Sequence, residues 1–511
     1  MKRFHVILLA LLALAVFAQP AAAAPSKSQV QHLHFRYGPI NIKPGANQIV
    51  FAPDMEKPSQ DGYITRIAPN LKLPNGAIPP TYKLHLHHGV WINLAHQGAT
   101  APFYPQAFFA SGEEKTIYKL PTPYGYFVKG SDPWVINYMI HDLVARPYKV
   151  YITYDVDFVP ASSSLAQRMK PVVPIWMDVE NGHPYPVFDV LRGSGQNGHF
   201  TFPNDAQNPY GTGPQLNEWT SPYSGTLVAT AGHVHPGGLY DDLEVVRPGA
   251  QVSAAKGGPV PGDVPNSVRI FRSRAHYFDK RGPVSWDVAL THTPANWRVH
   301  INQGDKLRIT STYDSKRSSW YEAMGIMIAY MAVDAKGGAD PFTTAVPTSG
   351  PITHGHLPEN NHHGGTAPKL ANAAALPGVA VSGNTVRIEN FEYRQGDLRA
   401  AGKRRNPPLV KEGQSLTFVN ADGPPTAPFG NQVSHSITAC LSPCNLTTGI
   451  SYPLANGRGG FDSGQLGFGP VGLTAFNNKQ TWQTPTNLTP GTYTFFCRIH
   501  PFMRGAFRVK Q

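Results

Sequence analysis

The sequence predicts an all-β protein built as three sandwiches in series, and three observations carry that expectation. Glycine and proline number 49 each among 511 residues, well above the usual share of about 12% for the two together; such a chain suits short strands joined by many turns. Apolar and polar residues alternate at period two in several stretches, for example residues 150–158 and 307–310. No long amphipathic helical pattern interrupts them, and charged residues make up only 15%, against about 25% in average chains, which argues against coiled coils and charge-driven disorder.

The elements follow in chain order. Lys2 and Arg3 precede an apolar run over residues 6–17, and small residues at 21–24 place an Ala-x-Ala site around Ala23. Residues 1–24 are therefore expected to be a secretory leader, with the mature protein secreted or periplasmic. The apolar run is too short for a membrane span, and no other stretch qualifies, so no stable membrane span is expected. About 300 β-rich residues follow, more than one ordinary sandwich needs. They are divided into residues 25–160 and 161–334 at a Ser-rich, unpatterned stretch. Residues 335–380, rich in Gly, Pro and His, are expected to form a linker. Its His354, His356, His362 and His363 could gather metal or simply sit in a solvated loop. Residues 381–511 return to a compact run of strands. The net charge is +12, but Lys and Arg are scattered, so no nucleic-acid partner is expected. Asn445 and Asn487 begin Asn-x-Thr triplets that are read as chance.

The chain has three cysteines. Cys440 and Cys444 are close enough to bridge across a small turn. Cys497 is left over, and an unpaired thiol in an oxidising compartment calls for burial or a metal. Its surroundings, FFCRIHPFMRGAFRV, put His500 and Met503 on the same short loop, and His435 lies upstream in VSHSITAC. One thiolate, two imidazoles and a weak thioether suit copper cycling between Cu(I) and Cu(II). Cys497 ends a strand, so the loop after it can turn His500 and Met503 back toward one ion. This stretch resembles the cupredoxins, with a loop most like that of the amicyanins. The resemblance covers roughly residues 381–511 and implies a type 1 copper held by His435, Cys497, His500 and Met503. Such a site carries single electrons and has no open position for catalysis.

The N-terminal part offers a second set of donors. KLHLHHGVW contains His85, His87 and His88; VINYMIHDL contains His141; TAGHVHPGG contains His233 and His235; YEAMGIMIAYM contains Met324. Residues i and i+2 of a strand share a face, so His233 can chelate with His235, and His85 with His87. Adjacent His87 and His88 can share an ion only at a strand end or bulge. The order His-His, His, His-x-His, Met distantly resembles the copper type II ascorbate-dependent monooxygenases, the peptidylglycine α-hydroxylating and dopamine β-monooxygenase family. YGYFVKGSDPWVINYMIHDL and EAMGIMIAYM carry the closest likeness. The resemblance implies two sandwiches facing across an open cleft. It also implies an electron-transfer copper on His87, His88 and His141, and a catalytic, oxygen-binding copper on His233, His235 and Met324.

Two departures from that family bear on substrate. No cysteine precedes Cys440, so the family's framework disulfides have no counterpart. Ala231, Ile326 and Ile328 stand where the peptide-amidating members carry Arg, Asn and Tyr, which predicts an apolar or uncharged organic substrate. The expectation is thus a secreted multi-copper oxidoreductase with one type 1 and two further copper sites. It would take a small organic substrate and O2, with a redox partner or small reductant supplying electrons. The apolar edge of the His500 loop is expected to dock near His141. A non-catalytic blue-copper electron carrier and a copper storage or resistance protein are the alternatives.

Overall fold

The computed structural model describes residues 29–511 apart from 184, 252–265, 279–281, 284, 318, 334–335, 359–369, 423–432, 445–456, 468–478 and 501. The expected leader, His362, His363 and Asn445 lie outside the described residues. No helix among the described residues is long and apolar enough to cross a membrane.

The fold is all-β. One sheet of the first sandwich runs in the order Gln31–Ile42, Tyr148–Pro160, Gly62–Lys72, Tyr124–Val128 and Lys170–Pro171, with Tyr118–Lys119 on the side of Gly62–Lys72. The facing sheet runs Asn47–Ala52, Trp134–Asp142, Leu84–Gln97 and Pro105–Gly112. The strand Tyr148–Pro160 shows why the sequence folds this way. Val150, Ile152, Tyr154, Val156 and Phe158 are all fully buried, while Asp155 and Asp157 point outward and pair with His34 and His32 across the strand. Burying each such aliphatic or aromatic side chain contributes about 1.5–3 kcal/mol.

In the second sandwich, Val173–Asp178, Ile326–Val333, Gly225–His233 and Val299–Ile301 form one sheet. His199–Phe202, Lys306–Asp314, Gly238–Val246, Ser267–Tyr277 and Val288–Leu290 form the other, with Glu218–Thr220 beside Lys306–Asp314. The strand Ile326–Val333 is buried along nearly its whole length, as a strand covered on both faces must be. Its Ile328, Tyr330 and Ala332 join the core of the first sandwich, and Tyr330 Oη donates to the Phe108 carbonyl at 3.0 Å. An apolar seam therefore joins the two sandwiches where the family resemblance implies an open cleft.

The first part of the expected linker is packed on the second sandwich. Phe342 lies in that sandwich's core, Asp340 pairs with Arg247, and Ile352 bridges to Thr291. His354 Nε2 donates to the Val288 carbonyl, and His356 Nδ1 pairs with Asp287 at 2.5 Å. These contacts are irregular and edge-on, so they leave no periodic trace in the sequence. The C-terminal sandwich pairs Val379–Ala380, Pro408–Lys411, Arg504–Lys510, Gly491–Phe496 and Thr438–Ala439 in one sheet. Glu392–Tyr393, Thr385–Glu389, Thr417–Asn420 and Thr481–Gln483 form its second sheet. Cys440 and Cys444 are disulfide-bonded.

Candidate metal centres

In the C-terminal sandwich, Cys497 directly follows the strand Gly491–Phe496 and is fully buried. The loop after it folds back tightly: Met503 N–H donates to the His500 carbonyl at 2.9 Å, and Cys497 N–H donates to the Met503 carbonyl at 3.2 Å. Cys497 Sγ lies 3.8 Å from His435 Nδ1 and 3.9 Å from His500 Nδ1, and the two nitrogens are 3.2 Å apart. Met503 is fully buried beside them in the same core. One thiolate and two imidazole nitrogens thus converge on a point, a donor set that fits copper. The N–H groups of Ser436 and His500 both donate to the sulfur at 3.3 Å.

Sequence reasoning missed what orients this site. His435 Nε2 donates to Asp422 at 2.9 Å, which turns Nδ1 toward the sulfur. The same carboxylate accepts the N–H groups of Asn390 and Phe391, both held at left-handed φ, 53° and 58°. That turn sets the Phe391 ring against His500 at 5.0 Å and His435 at 5.7 Å. Asn420 donates to the carbonyls of Val433 and Leu466 at 2.8 Å each, tying down the chain around His435. Burial opposes ionisation of Cys497, but His435 and His500 outweigh it and hold the thiol well below its usual range. Burial would likewise lower His435, yet Asp422 and the thiolate push it up to about 9.

A second centre lies in the first sandwich. His85 sits opposite His141 in adjacent strands, and the register shifts between Leu86 and His88. One donor atom from each of His85, His87 and His141 lies within 4.8 Å of the others. The rings of His87 and His141 stack at 3.9 Å, and His235 of the second sandwich approaches His87 at 4.2 Å. His85 Nδ1 donates to the Thr81 carbonyl and His235 Nδ1 to the Glu322 carbonyl. Both rings therefore aim Nε2 inward. Nε2 of His85 and His235, Nδ1 of His87 and both nitrogens of His141 are buried without hydrogen-bond partners. Burial first, and then neighbouring imidazoles, push His87, His141 and His235 well below the usual histidine range; burial brings His85 to about 4. These imidazoles are neutral at pH 7, with orphaned nitrogens where a metal would sit, so the residues fit a copper ion.

The two expected N-terminal ligand sets are thus divided differently. His85, rather than His88, joins His87 and His141, in keeping with the period-two face of a strand. His88 lies instead near His233, and burial lowers it to about 3. His233 and His235 have rings 5.1 Å apart but face different partners. His235 turns to His87, while His233 Nδ1 pairs with Glu114 at 2.8 Å. Met324 packs with Ile49, Met139, Tyr185, Val187 and Ile326. A small cleft opens beside His233, lined among others by Ala231, Ile326, Ile328, Tyr118, Lys119 and Phe109.

The two centres meet at a domain junction. A partly open pocket is lined by His87, His141 and His235 from the first two sandwiches and by Ser436, Arg498 and Ile499 from the third. Arg498 Nη1 donates to the Ser319 carbonyl at 2.7 Å and lies over the Trp320 and Tyr321 rings. His500 is only 1% exposed. It sits against Gly45, where an added Cβ would lie 3.1 Å from its Nε2. Asp142 N–H donates to the Ala46 carbonyl at 2.9 Å, so a short path of backbone and hydrogen bonds leads from that turn to His141.

No protein-family model and no curated protein matches the chain. Among solved structures, the oxidised state of an amicyanin proline mutant aligns at 18% identity, covering 28% of this chain and 89% of that one, with a TM-score of 0.14. A reduced amicyanin mutant aligns at 16% over the same shares, with a TM-score of 0.12. A copper-containing nitrite reductase from Thermus scotoductus SA-01 aligns at 16% identity over 56% of this chain and 55% of that one, with a TM-score of 0.16.

Proposed function

We propose that this chain is a secreted copper oxidoreductase in which the C-terminal sandwich passes electrons to the buried histidine centre of the same molecule. The observation that carries this reading is the shared pocket, lined by Ser436, Arg498 and Ile499 of the third sandwich together with His87, His141 and His235 of the first two. Copper held by these donors would cycle between Cu(I) and Cu(II) one electron at a time. Cys497, His435, His500 and Met503 would hold the donor ion. His85, His87 and His141, with His235 beside them, would hold the acceptor. Arg498 and Gly45 set how closely the third sandwich docks. Because His500 is buried against the first sandwich, its edge serves that neighbour rather than an external carrier.

The finer reading is hydroxylation of an apolar or uncharged organic molecule by O2. That reaction consumes two electrons beyond those the substrate gives, which a reductant must deliver singly through the C-terminal site. Ala231, Ile326 and Ile328 give the cleft an apolar wall, which supports an apolar or uncharged substrate; Lys119 and His292 also line it. Copper quantitation with electron paramagnetic resonance on reconstituted protein tests the overall reading. One blue copper plus at least one further tight copper, the latter lost in His141→Ala, is the expected result. A single blue copper would leave only a carrier, and more than three coppers would indicate storage; either contradicts the proposal.

A further inference from the structure

We propose that Glu113 is a metal ligand, holding a copper ion with His87 and His235 beside the position formed by His85, His87 and His141. This rests on the copper reading of the histidine centre and extends it. Glu113 directly follows the strand Pro105–Gly112, and its side chain is fully buried. Neither of its carboxyl oxygens has a hydrogen-bond partner. Oε2 lies 3.3 Å from His87 Nδ1, and one donor atom each from His87, Glu113 and His235 fall within 4.8 Å of one another.

The neighbouring Glu114 shows what a carboxylate needs in this interior. It is also buried, but it takes the Gly112 N–H at 2.8 Å and pairs with His233 at 2.8 Å. Glu113 has no comparable hydrogen bonds, and an isolated buried carboxylate is strongly disfavoured unless a cation compensates it. The buried Nε2 of His235 is equally unpartnered. Three unsatisfied donors of types that suit divalent copper therefore face one space. To serve both positions His87 would bridge them as an imidazolate, one ring nitrogen to each ion, with its N–H proton released to solvent when the second copper(II) binds.

Reconstitution with copper(II) salts alone, followed by metal counting and measurement of the blue band, tests the assignment. The wild-type chain is expected to hold three coppers, one of them blue. Glu113→Gln, which keeps the side chain's size, should lose one of the two colourless coppers and keep the blue one. His235→Ala should lose the same ion, so the double variant should still hold two. A wild-type count of two, or a Glu113→Gln count of three, overturns the assignment of Glu113. A wild-type count of one, the blue copper alone, instead sinks the reading of the histidine centre itself. Should Glu113→Gln lose its blue band through misfolding, the wild-type count and His235→Ala still decide.

Discussion

Gly45→Ala tests whether close docking of the third sandwich matters. Gly45 has φ +64°, and a Cβ there would lie 2.0 Å from Phe391 Cε1 and 3.1 Å from His500 Nε2. Carbon atoms pack best at about 3.5–4.0 Å, so the Phe391 ring would have to retreat by roughly 1.5–2 Å. The Phe391 ring packs against His435, His500 and Phe502, so it can retreat only by disturbing those contacts. Overpacking of this kind costs about 1–3 kcal/mol. The left-handed strain of a Cβ at this φ, about 1–2 kcal/mol, is present docked or undocked and lowers only overall stability. The docked state should therefore lose about 5–150-fold in population. The assay is rapid mixing: reduce the blue site, then follow its reoxidation by the histidine centre. Gly45→Ala should slow that step while leaving the blue spectrum unchanged, because Gly45 supplies no ligand. A wild-type rate in this variant would refute the docking argument.

Two further outcomes follow from other parts of the structure. Asp422→Asn removes the acceptor that orients His435 and should lower copper affinity at the blue site by about 10–100-fold; chelator competition read at the blue band measures this, and unchanged affinity contradicts it. Glu180 is raised from 4.5 to about 7, by burial first and by Asp178 second. The fold therefore favours its protonated form, and the associated stability is present below pH 4.5 and lost as pH rises through 7. Glu180→Gln should gain on the wild type in thermal melts between pH 5 and 8, and an unchanged pH dependence would exclude this role.

Local patterns make part of this molecule legible in the amino-acid sequence alone. Alternation in residues 148–160 marks a half-buried strand, because period two is a local property. The C-terminal donors proposed to hold copper are equally visible, since Cys497, His500 and Met503 share one loop. Their support is not: Asp422 reaches His435 across 13 residues, and nothing in NADG marks its role. At the second centre, period two points to His85 with His87, while the family resemblance points to His88. The structure follows the strand geometry, with His85 opposite His141. Glu113, Glu114 and His235 come together only through packing of separate sandwiches, which no local pattern encodes. The same limit explains residues 336–358, whose irregular edge contacts look like a linker.

The most direct measurement is the reoxidation rate of the blue site in the wild-type protein as a function of protein concentration, after rapid reduction of that site alone. Transfer from His500 toward His141 within one chain predicts a first-order rate that does not change with concentration and disappears in His141→Ala. A rate that scales with concentration, or transfer that persists unchanged without His141, would contradict intramolecular delivery to the histidine centre.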